Sequence, residues 1–105
     1  MEIKIGNFTL GQDHLPAFIA ELGICHLGDV NRAIQTVAAV FKAGGPCIVK
    51  TETFQPDKMV IDKEHRIISK IINSKGEIED MDESLLEHME RFHLTLKEHQ
   101  QICEY

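Results

Sequence analysis

The stretch from Ala17 to Phe54, AFIAELGICHLGDVNRAIQTVAAVFKAGGPCIVKTETF, decides the fold. Its opening run, Ala17 to Ile24, is almost entirely apolar, which is typical of a strand covered on both faces of a parallel sheet. An amphipathic helix follows Asp29, which can cap it, and we expect this helix to stop at the Gly44-Gly45-Pro46 sequence. Cys47 to Val49 is then a second buried strand. Two strands joined through a helix by short connections predict a right-handed parallel crossover.

A hairpin is expected before this unit, within residues 1–16. The residues from Glu2 to Leu10 alternate between apolar and polar side chains about Gly6-Asn7, a pair that favours a tight turn. The chain therefore divides into a hairpin at 1–16, a strand–helix–strand unit at 17–54, and a remainder at 55–105.

The remainder, residues 55–105, is predicted to be helical. The isoleucine pairs between Glu64 and Asn73 fit one face of a helix, and Glu77 to Asp82 then forms an acidic linker. Two further helices are expected to begin at capping boxes, where Ser84 and Thr95 are each followed three residues later by a glutamate. The last helix has no stop signal before the chain ends, so we expect the natural domain to continue.

Composition excludes several classes of protein. The net charge is −6 over 105 residues, which argues against a nucleic-acid partner. No apolar run is long enough to span a bilayer, and the N-terminus does not resemble a signal peptide. The three cysteines are too widely spaced for a disulfide framework or a metal knuckle, so we interpret them as free thiols in a cytoplasmic protein.

Polar side chains follow both predicted strands of the central unit, where the carboxyl ends of parallel strands form ligand sites. The first strand offers Glu21 and His26, and the second offers Lys50, Glu52 and Thr53. A carboxylate beside an ammonium group can bind an anionic or carbonyl substrate and move protons. Spacing alone favours a buried structural ion pair between Glu21 and Lys50, and a lone histidine such as His26 is more often a hydrogen-bonded loop residue than a ligand.

Other candidate residues are interpreted as structural. Cys25 is expected to be a small buried residue, because no base that would activate its thiol is identifiable. The histidines of the 55–105 segment lack the i, i+4 spacing of a metal site and are interpreted as surface or helix-face residues: His65, His88, His93 and His99.

The segment IAELGICHLGDVNRAIQTVAAVFKAGG, followed by IVKTETF, resembles the N-terminal barrel segment of the N-acetylneuraminate (sialic acid) synthase family. The upstream IGNFTLGQDHLPAFIAE resembles the hairpin that plugs the base of the barrel in those enzymes. The downstream SLLEHMERFHLTLKEHQQICEY resembles the second barrel helix and its approach. The resemblance implies an α/β fold in which this chain forms the first part of an incomplete TIM (β/α)8 barrel.

The resemblance also implies a function. Members of the family condense phosphoenolpyruvate with an N-acylated amino-sugar aldehyde such as one derived from N-acetylmannosamine, and they use a divalent metal, Mn or Mg. By the resemblance, Glu21 and Lys50 are catalytic, and His26, Glu52 and Thr53 bind substrate. The metal ligands belong to later strands and are expected to be absent from this chain, so it should be inactive alone. A homo-oligomer is the expected assembly.

Two departures from the family pattern support an alternative. Cys25 stands where the family usually has asparagine, and Glu52 stands where it has glutamine. The alternative is a non-catalytic interaction module, or a degenerate barrel fragment, that self-associates through the unpaired edges of its buried strands.

Overall fold

The described part of the chain, residues 1–44 and 47–105 of the computed structural model, contains three two-stranded sheets and four helices. The strands are β1 (Ile3–Ile5), β2 (Phe8–Leu10), β3 (Phe18–Gly23), β4 (Cys47–Thr51), β5 (Arg66–Ile72) and β6 (Ile78–Ser84). The helices are α1 (Val30–Ala43), α2 (Pro56–Met59), α3 (Leu85–Phe92) and α4 (Leu96–Glu104). The fold is mixed α/β, and the described residues form no closed barrel.

The N-terminal hairpin is confirmed. β1 and β2 pair antiparallel, with Ile3 opposite Leu10 and Ile5 opposite Phe8, so Gly6-Asn7 forms the turn.

The strand–helix–strand unit is also confirmed. β3 and β4 pair in parallel, and α1 connects them. The Asp29 side chain caps α1 by accepting hydrogen bonds from the backbone N–H groups of Asn31 and Arg32, at 2.8 and 3.3 Å. The helix ends at Ala43, and the rest of the expected stop signal, Gly45-Pro46, lies outside the described residues.

The prediction that β3 is covered on both faces is wrong. Leu22 is buried in a small core with Ala33 and Val37 of α1, and Leu94 and Ile102 complete this core from the C-terminal helical region. The first half of β3 is open, since Phe18 is 67% exposed. The apolar run correctly indicated a strand, but only one face of the two-stranded sheet is packed.

The predicted helix from Glu64 to Asn73 is wrong, because Arg66–Ile72 forms strand β5. Exposure alternates along it, as expected of a strand with one packed face. The isoleucine pairs fit a helical face, but their β-branched side chains favour an extended backbone. Residues 55–105 are therefore not a purely helical segment.

The predicted acidic linker is likewise wrong, because most of it lies in β6 (Ile78–Ser84), which pairs antiparallel with β5. Its acids face cations across the hairpin: Lys70 Nζ donates to Asp80 at 2.6 Å, and the Arg66 guanidinium donates to Asp82 at 3.0 Å. Cross-strand pairs of opposite charge stabilise antiparallel sheets. The acidic run is thus half of a hairpin rather than a solvated connection.

Glu83 joins this hairpin to α3. Its carboxylate is buried and contacts Ser69 Oγ at 2.9 Å, His88 Nδ1 at 2.8 Å and the Arg91 guanidinium. These hydrogen bonds lower the pKa of Glu83 against the opposing effect of its burial. A buried carboxylate is tolerated when it is paired and hydrogen-bonded in this way.

Both capping boxes are confirmed. Ser84 and Glu87 cap α3 reciprocally, and Thr95 and Glu98 do the same for α4. Within the described residues, no helix has the length and apolar character needed to cross a membrane.

Candidate active site

Glu21 and Lys50 lie side by side at the carboxyl ends of the two parallel strands. They are direct register partners in the β3–β4 ladder, and Lys50 Nζ donates a hydrogen bond to Glu21 Oε2. Their side chains are 45% and 54% exposed, respectively. The pair therefore faces solvent, which excludes the buried structural ion pair that spacing alone favoured.

The backbone after Glu21 helps to position its carboxylate. The register of the ladder shifts between Glu21 and Gly23, and this irregularity brings the Gly23 N–H to within 3.1 Å of Glu21 Oε1. Both carboxylate oxygens thus have a donor, one from Lys50 and one from the backbone. Bulges near strand ends commonly re-aim side chains in this way.

The ion pair shifts both groups towards their charged forms. The hydrogen bond from Lys50 lowers the pKa of Glu21 below its ordinary value of 4.5. The same bond raises the pKa of Lys50 above 10.5, with a smaller contribution from the charge of Glu52. At neutral pH the site therefore presents a carboxylate and an ammonium group together.

Glu52 and Thr53 follow β4, and both are exposed. Glu52 acts on Lys50 through its charge, whereas Thr53 lies on the wall of a neighbouring cavity. Glu52 is thus close enough to Lys50 to affect its charge, whereas Thr53 belongs to the lining of the cavity.

His26 differs from the other candidates because it is only 2% exposed. Its Nδ1 accepts a hydrogen bond from the Gly28 N–H at 3.0 Å, and its carbonyl accepts one from the Asp29 N–H, also at 3.0 Å. Burial is the main cause that lowers its pKa, followed by the nearby His99. The structure therefore places His26 inside the β3–α1 loop rather than on the open mouth beside Lys50.

Two further residues were interpreted as structural, and Cys25 departs from that expectation. Cys25 is exposed, not a buried residue as expected, and its thiol donates to the Leu22 carbonyl oxygen at 2.8 Å. His99 on α4 is buried, and its two ring nitrogens have no hydrogen-bond partner among the described residues. His99 and Ile102 are three residues apart and lie on the same buried face of α4. This spacing in the sequence was the signal that His99 would be buried.

Comparison with known proteins identifies the relatives of this chain. It is 34% identical over 84 residues to the pseudaminic acid synthases of two strains of Campylobacter jejuni subsp. jejuni, of serotypes O:2 and O:23/36. This similarity supports the resemblance to the sialic acid synthase family, and the chain is a partial and distant homologue of these enzymes. The match covers 78% of this chain but only 24% of each relative. No protein-family model matches the chain.

The family resemblance implies a catalytic role for Glu21 and Lys50. The structure brings these two side chains into direct contact. No group of three or more His, Cys, Asp or Glu side chains in residues 1–44 and 47–105 is arranged to hold a metal ion. The chemistry argued below therefore uses only side chains of this chain.

The buried His26 makes the stability of the chain dependent on pH. Because its pKa is lowered on folding, the unfolded chain binds a proton more readily below the ordinary value of 6.5. Stability should therefore be complete above pH 6.5 and decline as the pH falls towards the lowered pKa. We expect His26→Asn to flatten this decline in urea unfolding between pH 7.5 and pH 5.5.

The exposed His65 provides the matched control for this prediction. His65→Asn should leave the decline unchanged. The charges of His99 and Glu98 also act on His26, in opposite directions. An equal pH dependence in the parent chain and in His26→Asn would contradict the assignment to His26.

Proposed function

We propose that this chain is the N-terminal part of a synthase that condenses phosphoenolpyruvate with an N-acylated amino-sugar aldehyde. The observation that carries the proposal is the exposed Glu21–Lys50 pair at the carboxyl ends of two parallel strands, which is where α/β enzymes bind ligands. The similarity to pseudaminic acid synthases supports the choice of reaction. A TIM barrel, a cytoplasmic location and a homo-oligomeric assembly are part of the same proposal.

Lys50 has the properties required of an anion-binding group. Its ammonium is partly exposed, its pKa is raised, and it lies at the open end of the sheet. A phosphate or carboxylate of phosphoenolpyruvate can replace Glu21 as its partner, because exposed ion pairs are weak and exchange readily. Glu52 adds negative charge near Lys50, which opposes anion binding unless the ammonium group offsets it.

Glu21 has the properties required of a proton-transfer group. When a substrate anion takes Lys50, the carboxylate loses its strongest hydrogen bond and its pKa moves back towards the ordinary value. It then becomes a better base for the water that attacks the condensing substrate, while the Gly23 N–H keeps it in place. Substrate binding and proton transfer are thereby coupled through one ion pair.

The second candidate function is a non-catalytic module that self-associates. The observation in its favour is the apolar surface of the β3–β4 sheet, where Phe18 and Ile19 are both at least half exposed. The two strands also pair only with each other among the described residues, which leaves edges for another chain. Sedimentation at micromolar concentration separates the candidates, since a clean monomer would count against self-association.

A chimaeric enzyme tests the proposed activity. The matched 84 residues would replace those of a Campylobacter jejuni pseudaminic acid synthase. We expect phosphate release from phosphoenolpyruvate that depends on the amino-sugar substrate of the host enzyme, and none from the 105-residue chain alone. A folded chimaera without activity would contradict the proposal, whereas robust turnover by the isolated chain would refute its incompleteness.

A further inference from the structure

A concave surface lies beyond the carboxyl end of β4, the strand that carries Lys50. It encloses about 770 Å³ between the segment Thr53–Gln55, helix α2 and the α3–α4 junction. Its base is apolar, with Leu94 fully buried and the rings of Phe54 and His93 5.8 Å apart. We call this space the β4 cavity.

The charged lining of the β4 cavity is entirely basic. Lys58 of α2 and Lys97 of α4 line it, together with the imidazole of His93, and no carboxylate does. Neither lysine has a salt-bridge partner in the part of the chain that the structure describes. In a chain of net charge −6, two unpaired lysines facing one cavity form a local positive field.

The nearest acids on the same elements do not line the cavity, although the charge of Glu98 acts on His93. The Glu98 carboxylate caps the first turn of α4. Its Oε2 accepts hydrogen bonds from the Thr95 N–H and from Thr95 Oγ1, each at 2.7 Å. Asp57 precedes Lys58 on α2 but does not line the cavity. The lysines thus remain available to an external anion.

The cavity also offers a surface for the carbon skeleton of a ligand. The side chains of Phe54, Met59 and Leu96 line it, and the last two are well exposed. The exposed Thr53 lies at the edge closest to the end of β4 and carries a hydroxyl that can donate or accept. An apolar base below two ammonium groups matches a small molecule with one anionic end and one apolar body.

We propose that the β4 cavity binds a small carboxylate or phosphate monoester, with its anion between Lys58 and Lys97 and its carbon body on Phe54 and Leu96. This site is separate from the Glu21–Lys50 pair. It shares Thr53 with the residues expected to bind substrate but uses neither Glu21 nor Lys50, so it holds whether or not the chain takes part in condensation.

The probes are phenyl phosphate and benzoate, with phenol as the neutral analogue, added to the 15N-labelled chain. We expect shifts of backbone amide signals concentrated at residues 53–59 and 93–97 for at least one of the anions, and weaker binding of phenol. The stronger of the two anions identifies phosphate or carboxylate as the preferred group. Raising the NaCl concentration from 50 to 500 mM should weaken anion binding severalfold.

The double variant Lys58→Met with Lys97→Met should weaken binding of the preferred anion about tenfold. The matched control is Lys63→Met with Lys75→Met, which removes the same charge from exposed lysines outside the cavity. We expect the control to bind as the parent does. Equal weakening in both double variants, or an absence of signal shifts at residues 53–59 and 93–97, would overturn the proposal.

The absence of any saturable binding by either anion at 10 mM would also overturn it. Far-ultraviolet circular dichroism of each variant shows whether the fold is retained. Because all four substituted lysines are exposed, the variants should fold like the parent chain.

Discussion

In the chimaeric synthase, Glu21→Gln should lower kcat by about 10²- to 10⁴-fold, which is the range expected when a positioned proton-transfer group is removed. Glutamine keeps the size of the side chain and can still accept the Gly23 N–H bond, but it cannot take a proton. The KM for phosphoenolpyruvate should change little, because Glu21 is not the group that we assign to its anion. Steady-state kinetics with both substrates varied would measure this split.

Lys50→Met should give the complementary result. Methionine has a similar length but no charge, so kcat/KM for phosphoenolpyruvate should fall about 100-fold or more, mainly through KM. The difference between the two variants tests the assigned roles rather than the mere importance of the site. If the ion pair were purely structural, both variants would be less stable than the parent, and their values of kcat and KM would be similar to each other.

Matched controls are available outside the site. Lys42, in the last turn of α1, and Glu64, before β5, are both exposed. Lys42→Met and Glu64→Gln should leave the kinetics of the chimaera unchanged. Losses in these controls comparable to those at Lys50 and Glu21 would contradict the assignment of the active site.

The central unit was predictable because its signals are local. Asp29 caps α1 through the next few backbone N–H groups, and the two capping boxes close within four residues. The contact between Glu21 and Lys50 followed from the parallel pairing of two strands whose polar exits were visible in the sequence. Neither inference required knowledge of the distant part of the chain.

The β5–β6 hairpin could not be predicted in the same way. The hairpin is stabilised by the ion pairs of Lys70 with Asp80 and of Arg66 with Asp82. These side chains meet only in the observed register of the two strands, which the sequence does not specify locally. A run of isoleucine pairs fits either a helical face or a strand. The choice between helix and strand depends on the partner strand β6, and its acidic composition had predicted a linker instead.

The interior of the site was also inaccessible to sequence reasoning. His26 is buried, and His99 of α4 lies near enough to lower its pKa further, although the two residues are far apart in the chain. The β4 cavity likewise forms only because the α3–α4 junction lies across from Thr53. Long-range packing, rather than local propensity, determines which polar residues remain open to a ligand.

Gly28→Ala should be the most destabilising single substitution in the β3–α1 loop, with a loss of about 3 kcal/mol in the free energy of unfolding. The backbone φ of Gly28 is +76°, which an alanine adopts only with strain. A Cβ at this position would also lie 2.3 Å from the carbonyl oxygen of Arg91, so the loop and the end of α3 would have to separate. Urea unfolding followed by circular dichroism would measure the loss.

Gly76 provides a control that isolates the steric contribution. Its φ is +82°, but a Cβ there would meet nothing within 4 Å, because it lies in the β5–β6 turn. Gly76→Ala should therefore cost only the backbone strain, about 1 kcal/mol. The excess loss in Gly28→Ala then measures the close approach between the loop that holds His26 and helix α3. Equal losses in the two variants would show that this approach contributes nothing to stability, and that the loop is held by its own turns alone.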